Sequence, residues 1–174
     1  MKETNKMREI RVEKVTLNIG TGKEQPMLEK GLILLKNITG AKPVKCYAKK
    51  RIPSWGVRPG LPVGCKVTVR KNTHDLIVRT LSAVDNTLDE SNFDDFGNVS
   101  FGIEEYIDIT GVKYDPKIGM LGLQVCITLG RAGYRIARRK IGQRKIHRRH
   151  SIKKEEAIEF MKKMFNLMLR EEEK

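Results

Sequence analysis

Three stretches of the chain alternate strictly between apolar and polar residues, and this constrains the fold more than any other feature. Val15, Leu17 and Ile19 alternate with Lys14, Thr16 and Asn18. Cys65, Val67 and Val69 alternate with Lys66, Thr68 and Arg70, and Leu123, Val125, Ile127 and Leu129 with Gln124, Cys126 and Thr128. A period of two means strands with one buried and one wet face, an arrangement that antiparallel sheets tolerate. Ser100–Ile109 reads the same way, with Phe101, Ile103, Ile107 and Ile109 inward. Val44–Tyr47 supplies a shorter fifth strand.

Between these runs the period lengthens to that of a helix. Leu28, Leu32 and Leu35 form one stripe, opened by Pro26 and stopped at Gly40. Ile77, Leu81, Val84 and Leu88 form a second, with Asn72 and Asp75 spaced like a capping box. Ile158, Met161, Phe165 and Met168 form a third, with Ser151 as its cap. The order βα, ββ, α, ββ, α implies an α+β fold. We expect about five strands in a largely antiparallel sheet with helices packed on one face. A long basic loop joins strands two and three, and a basic C-terminal extension ends in a helix. Residues 1–130 form the core domain, and residues 131–174 form an extension packed on it.

The charge is sorted along the chain. Lys and Arg number 35 against 21 acids, a net charge of +14. Ala41–Lys71 holds nine bases and no acid, Thr80–Val112 eight acids and no base, and Pro116–Lys154 twelve bases and no acid. A surface built only for solubility would mix the signs. The two basic blocks suit a polyanion, with the acidic block turned away from it. No apolar run reaches the roughly 18 residues of a membrane span, and the polar start MKETNKMREI is unlike a signal peptide. Nucleic acid is therefore the expected partner. The wet sheet face, with Thr16, Asn18, Lys66, Thr68, Arg70, Ser100, Gln124 and Thr128, reads either as an RNA-contacting lattice or as an ordinary solvated face.

Enzymatic motifs fail on inspection. GTGK (Gly20–Lys23) lacks the earlier glycine of a phosphate loop, with Leu17 in its place, and the following Ser or Thr, with Glu24 in its place. It reads as a plain turn or as a glycine-rich strand exit touching RNA through backbone N–H groups. Cys46, Cys65 and Cys126 form no CxxC pair, so reduced cysteines in strands are expected rather than disulfides or a metal site. His147 and His150 lack companion ligands. No cofactor or metal is expected, and a non-enzymatic RNA-binding protein is favoured over an RNA-modifying or RNA-processing enzyme using the same surface. A DNA-binding architectural protein would need a groove-entering helix, whereas the basic elements here are strands, a loop and a tail.

The stretch KKRIPSWGVRPGLPVGCKVTVR (Lys49–Arg70) carries the only tryptophan, Trp55, among prolines, glycines and cations. On such an arm the indole either packs on nucleotides or folds back to staple the loop. The tail Gly130–His150 adds nine bases, enough to engage several phosphates.

VEKVTLNIGTG (Val12–Gly22), ITGAKPV (Ile38–Val44), AKKRIPSWGVRPGLPVGCKVTVR (Ala48–Arg70) and GNVSFGIEEYI (Gly97–Ile107) resemble, in order, the signature blocks of the ribosomal large-subunit protein L-five family. GRAGYRIARRK and HRRHSIKKEEA resemble its archaeal and eukaryotic branch, on the archaeal side. The resemblance implies a structural, cytoplasmic ribosomal protein that binds 5S rRNA and helps anchor it in the central protuberance. Its implied partners are large-subunit rRNA, peptidyl-site tRNA, the L-eighteen family protein and a small-subunit protein across an intersubunit bridge. The implied rRNA contacts are Thr16, Asn18, Gly20, Thr21, Gly22, Lys42, Lys45, Lys66, Thr68 and Arg70, with Arg138, Arg139 and Lys140 from the tail. The loop Lys49–Leu61 is implied to reach the tRNA elbow through Lys49, Lys50, Arg51, Ser54, Trp55 and Arg58.

Overall fold

Strand β1 (Ile10–Gly20) buries Val15, Leu17 and Ile19 and leaves Thr16 and Asn18 half-exposed, as its alternation requires. The computed structural model describes residues 5–170; residues 1–4 and 171–174, the outer ends of the two predicted units, lie outside the described residues. After β1 come α1 (Gln25–Thr39), β2 (Val44–Tyr47), β3 (Pro62–Val69), α2 (Thr73–Ser82) and β4 (Thr87–Leu88). Then follow β5 (Asn98–Ile103), β6 (Leu123–Arg131), α3 (Lys154–Phe165) and β7 (Met168–Leu169). Five strands pair antiparallel in the order β2-β3-β1-β6-β5. The expected α+β architecture is present.

The helices cover the apolar face. Pro26 lies in the first turn of α1, and Gly40 ends the helix with φ +67°, a conformation that favours glycine. Within α1, Gly31 sits where a Cβ would lie 2.9 Å from Cys65 Sγ, so this helix lies unusually close to β3. One continuous core joins β1, β3, β5, β6, α1 and α2 to Ile152, Ala157, Met161, Phe165 and Leu167. The C-terminal helix is thus packed into the same core rather than beside it.

Five details differ from the sequence expectations. Helix α3 ends at Phe165, and Met168, expected on its apolar stripe, lies exposed in β7 beyond the positive-φ residue Asn166. The strand expected to run to Ile109 ends at Ile103, because Glu104 and Glu105 break the alternation with two exposed acids. The chain then makes a 3-10 turn over Tyr106–Asp108. Helix α2 stops at Ser82; Asp85 and Asn86 take positive φ, and Leu88 enters β4, which pairs in parallel with β7. Asn72 makes no capping bond and itself has φ +53°. Lys153, not Ser151, is the N-cap of α3, with its N–H donated to Glu156 Oε2 at 3.0 Å.

Candidate nucleic-acid interface

Residues directly opposite each other in a ladder point to the same side of the sheet, so register alone defines the uncovered face. One row runs Gly102, Gln124, Asn18, Lys66, Val44 across all five strands. The next runs Ser100, Cys126, Thr16, Thr68, and beyond it lie Asn98, Thr128 and Lys14. These rows carry short polar side chains and two lysines and contain no carboxylate. Thr16 and Thr68 meet hydroxyl to hydroxyl at 3.5 Å. At the β5 edge, Asn98 Nδ2 donates to Asp94 at 2.9 Å. Asn18, Lys66, Ser100, Gln124 and Thr128 make no side-chain bonds among the described residues, which leaves their donors and acceptors free for a ligand.

Strand order also separates the charge. The first basic block supplies β2 and β3 at one edge, and the acidic block includes β5 at the other. One acid of that block, Asp94, reaches the open side of β5 by accepting from Asn98, and Ser100 and Gly102 follow along the strand. The field therefore rises across the face toward Lys66, with Arg70 one residue beyond the end of β3.

At the end of this face, Gly20 pairs with Gly64. A Cβ on Gly64 would lie 2.6 Å from the Ile19 carbonyl oxygen, so only glycine permits this approach. Thr21 then donates its N–H to the Val63 carbonyl at 3.1 Å, and Gly22 turns with φ +59°.

The basic loop is held by its own hydrogen bonds. The Ala48 N–H donates to the Leu61 carbonyl, and Ile52 and Val57 exchange backbone bonds at 3.0 and 3.1 Å. Between them Pro53–Trp55 forms a 3-10 turn, closed by Gly56 at φ +64°. Val57 is buried, while Trp55 is 68% exposed, so valine rather than the indole anchors the arm. Lys49, Lys50, Arg51, Ser54 and Arg58 are all exposed around it.

The extension is bolted to the end of β6. Arg131, buried, donates to Glu156 Oε1 at 2.8 Å and to the carbonyls of Ser151 at 3.2 Å and His150 at 3.3 Å. Tyr134 accepts from the Ile152 N–H and donates to the His150 carbonyl through one hydroxyl. These bonds tie both ends of the basic tail, and the tail exposes Arg139 and Lys140. Arg139 donates Nε to the Gly142 carbonyl at 2.8 Å. Arg138 forms a two-pronged ion pair with Glu13, the residue bulged out of β1. Gly130 leaves room for that carboxylate, since a Cβ there would lie 3.2 Å from Glu13 Oε2.

The fold thus brings Thr16, Asn18, Lys66 and Thr68 onto one surface, with Gly20, Thr21, Gly22 and Arg70 at its margins. Lys45 does not join them. It lies opposite Cys65, on the helix-covered side of edge strand β2, and Val44 and Cys46 take the open positions instead. Lys42 is exposed just before β2. Sequence reasoning missed Arg131, whose signal was a cation at the end of an apolar alternation. It also missed Lys23, whose ammonium lies beside Gly56 in the loop. Cys65 is sealed in the core, and burial, with the nearby Cys46 thiol adding to it, pushes its pKa up to about 11. Cys126 is also raised by burial, though it lies on the open face.

Sequence comparison finds relatives along nearly the whole chain. The family model described as "Ribosomal protein L5" matches residues 5–58, and a second model, for the C-terminus of the same ribosomal family, matches residues 62–160. The "Large ribosomal subunit protein uL5" of Sulfurisphaera tokodaii is 47% identical over 167 residues, covering 95% of this chain and 94% of the relative. That of Nanoarchaeum equitans is 51% identical over 156 residues, covering 88% and 92%. That of Sulfolobus acidocaldarius is 46% identical over 171 residues, covering 98% and 96%. These relatives define the class, a structural protein of the large ribosomal subunit rather than an enzyme. The chain belongs to the ribosomal protein L5 family, uL5.

Proposed function

We infer that the open sheet face binds 5S rRNA and helps to anchor it in the central protuberance, beside an L-eighteen family protein. The observation that carries this reading is the polar lattice spanning all five strands, with Lys14 and Lys66 within its rows and with carboxylates only at its margins, Asp94 on Asn98 and Glu13 on Arg138. A wide, shallow RNA minor groove presents 2′-hydroxyls and base edges to such a surface. Thr16, Asn18 and Thr68 supply hydrogen bonds there, and Lys66 and Arg70 take phosphates. Gly20, Thr21 and Gly22 bring backbone close to the RNA at one margin, and Lys42 adds charge outside the sheet. Lys45 acts at the edge, from the opposite side.

The ordered arm Lys49–Leu61 extends the reading to the elbow of peptidyl-site tRNA, with Trp55 as its exposed aromatic and Lys49, Lys50, Arg51, Ser54 and Arg58 around it. Arg139 and Lys140 contact large-subunit rRNA, and Arg138, partly neutralised by Glu13, contacts it through the half of its side chain left exposed. The chain acts as one unit, a core of residues 1–130 with the extension 131–174 docked on it, and a small-subunit protein across an intersubunit bridge is a further partner.

Lys66→Ala with Arg70→Ala is the test. Losing two phosphate contacts lowers the slope of log K against log salt by roughly 1.4 to 1.8. Unchanged affinity and slope for 5S rRNA would place the binding surface elsewhere.

A further inference from the structure

Thr21 is 8% exposed, and its Oγ1 has no hydrogen-bond partner among the described residues. An orphaned buried hydroxyl is a cost that folding normally removes. Thr21 is one of the residues lining a groove of about 560 Å³ between the β1–α1 turn and the basic loop, while its hydroxyl oxygen is itself covered in the free protein. The walls of the groove are unlike the rest of the basic surface. Ile52, Val57 and Val63 make an apolar floor, and Trp55 stands at its side. Lys23, Lys49 and Lys50 lie on the rim together with Glu24. The loop is already folded against the turn, since a Cβ on Gly56 would lie 3.2 Å from Lys23 Nζ. The groove therefore exists before any partner arrives.

A lone phosphate suits this site poorly, because most of its wall is apolar and Glu24 repels an anion. A flat heteroaromatic ring with an attached phosphate suits every part of it. We propose that the groove receives a single unstacked nucleotide of a bound RNA, its base against Trp55 and its edge on Thr21 Oγ1, which a turn of the Thr21 side chain brings to the groove. Lys23, Lys49 and Lys50 then hold the adjoining phosphates. The volume lies within the range of pockets that enclose ligands of nucleotide size. Stacking needs no particular base, whereas the hydroxyl and the Glu24 carboxylate select for edges that carry an amino group. This inference rests on the RNA-binding reading above. The unpaired nucleotide comes from 5S rRNA or from tRNA, two sources of the same chemistry.

Trp55 is the only tryptophan, so its fluorescence reports this groove alone. The full chain is titrated with labelled 5S rRNA, a tRNA transcript and a fully paired RNA duplex, with RNA anisotropy and Trp55 emission read together. Either 5S rRNA or tRNA quenches the emission, and the one that does so is the source; the duplex binds without quenching. Trp55→Ala lowers the affinity of the quenching RNA by about 5- to 150-fold, the range for one stacked base. Thr21→Val keeps the shape and removes an orphaned group. It leaves the melting temperature unchanged or raised while weakening the same RNA by about 2- to 10-fold. RNA binding with unaltered Trp55 emission overturns the groove while sparing the sheet. So does a Thr21→Val variant that binds fully and quenches fully. If labelled 5S rRNA does not bind at all, the RNA-binding reading fails first and the groove falls with it.

Discussion

The Arg131–Glu156 pair predicts an asymmetry that counting contacts would get backwards. Arg131 makes three hydrogen bonds through its guanidinium, so its removal looks the more damaging change. The side-chain exposures argue otherwise, at 4% for Arg131 and 35% for Glu156. Breaking a buried pair is costly because of the charge left behind. Glu156→Gln leaves an almost fully buried cation facing a neutral amide, and we expect a loss of about 3 kcal/mol. Glutamine keeps one acceptor: with its oxygen on the Lys153 N–H its NH2 group faces the guanidinium, so the loss combines the missing charge with the missing Arg131 hydrogen bond. Arg131→Met leaves a carboxylate that reaches water, and the expected loss is about 1 to 2 kcal/mol. In a chain of this size the two losses lower the melting temperature by about 6–12 °C and about 2–8 °C.

The pH dependence has a definite sign. Burial pushes the Glu156 carboxyl up, but the Lys153 N–H, the Arg131 hydrogen bond and the charges of Arg131 and Arg8 outweigh it. The net effect holds the pKa below its ordinary 4.5. A lowered folded pKa means stability that is fully present above 4.5 and lost as pH falls through the folded value. The gap between wild type and Glu156→Gln, read by urea denaturation, is therefore constant near neutrality and closes in acid. A larger loss for Arg131→Met, or a gap that persists unchanged in strong acid, would refute the reasoning.

Two glycines test the packing beneath the face. Gly31→Ala gains about 1 kcal/mol of helix propensity, but its Cβ meets Cys65 Sγ at 2.9 Å, and overpacking of about 1 to 3 kcal/mol makes the net effect destabilising. In a Cys65→Ala background the clash is gone and the same substitution stabilises, a reversal that a double-mutant cycle in urea detects. Gly64→Ala forces the β1 backbone away from β3 at the margin of the open face. Melting temperature and 5S rRNA affinity should fall together, whereas a fall in stability alone would separate that margin from binding.

The sheet was legible in the sequence because its three long strands alternate without error over six or more residues. Phase was lost where strands are short. Four-residue β2 has no clear inward side of its own, and only its pairing with β3 fixes Val44 outward and Lys45 on the other side. Helix ends were lost where positive φ intervened, as at Asp85 and Asn86, which turn Leu88 from a helical stripe into β4. The Arg138–Glu13 pair joins residues 125 positions apart, so no local pattern could signal that this cation already has a partner. Arg131 was hidden for the same reason, since its partners lie 19 to 25 residues further on. The groove at Thr21 depends on two loops meeting, and neither loop carries that information alone.

The chain's own cysteines offer the most direct test of the central claim that RNA lies on the open face. Cys126 sits near the middle of that face and Cys46 at its edge, while Cys65 points into the core. Alkylation is followed by peptide mass spectrometry at mildly alkaline pH, with and without saturating 5S rRNA. The prediction is strong protection of Cys126, weaker protection of Cys46, and no labelling of Cys65 in either state. Tight RNA binding with Cys126 labelled at its free rate would contradict the account.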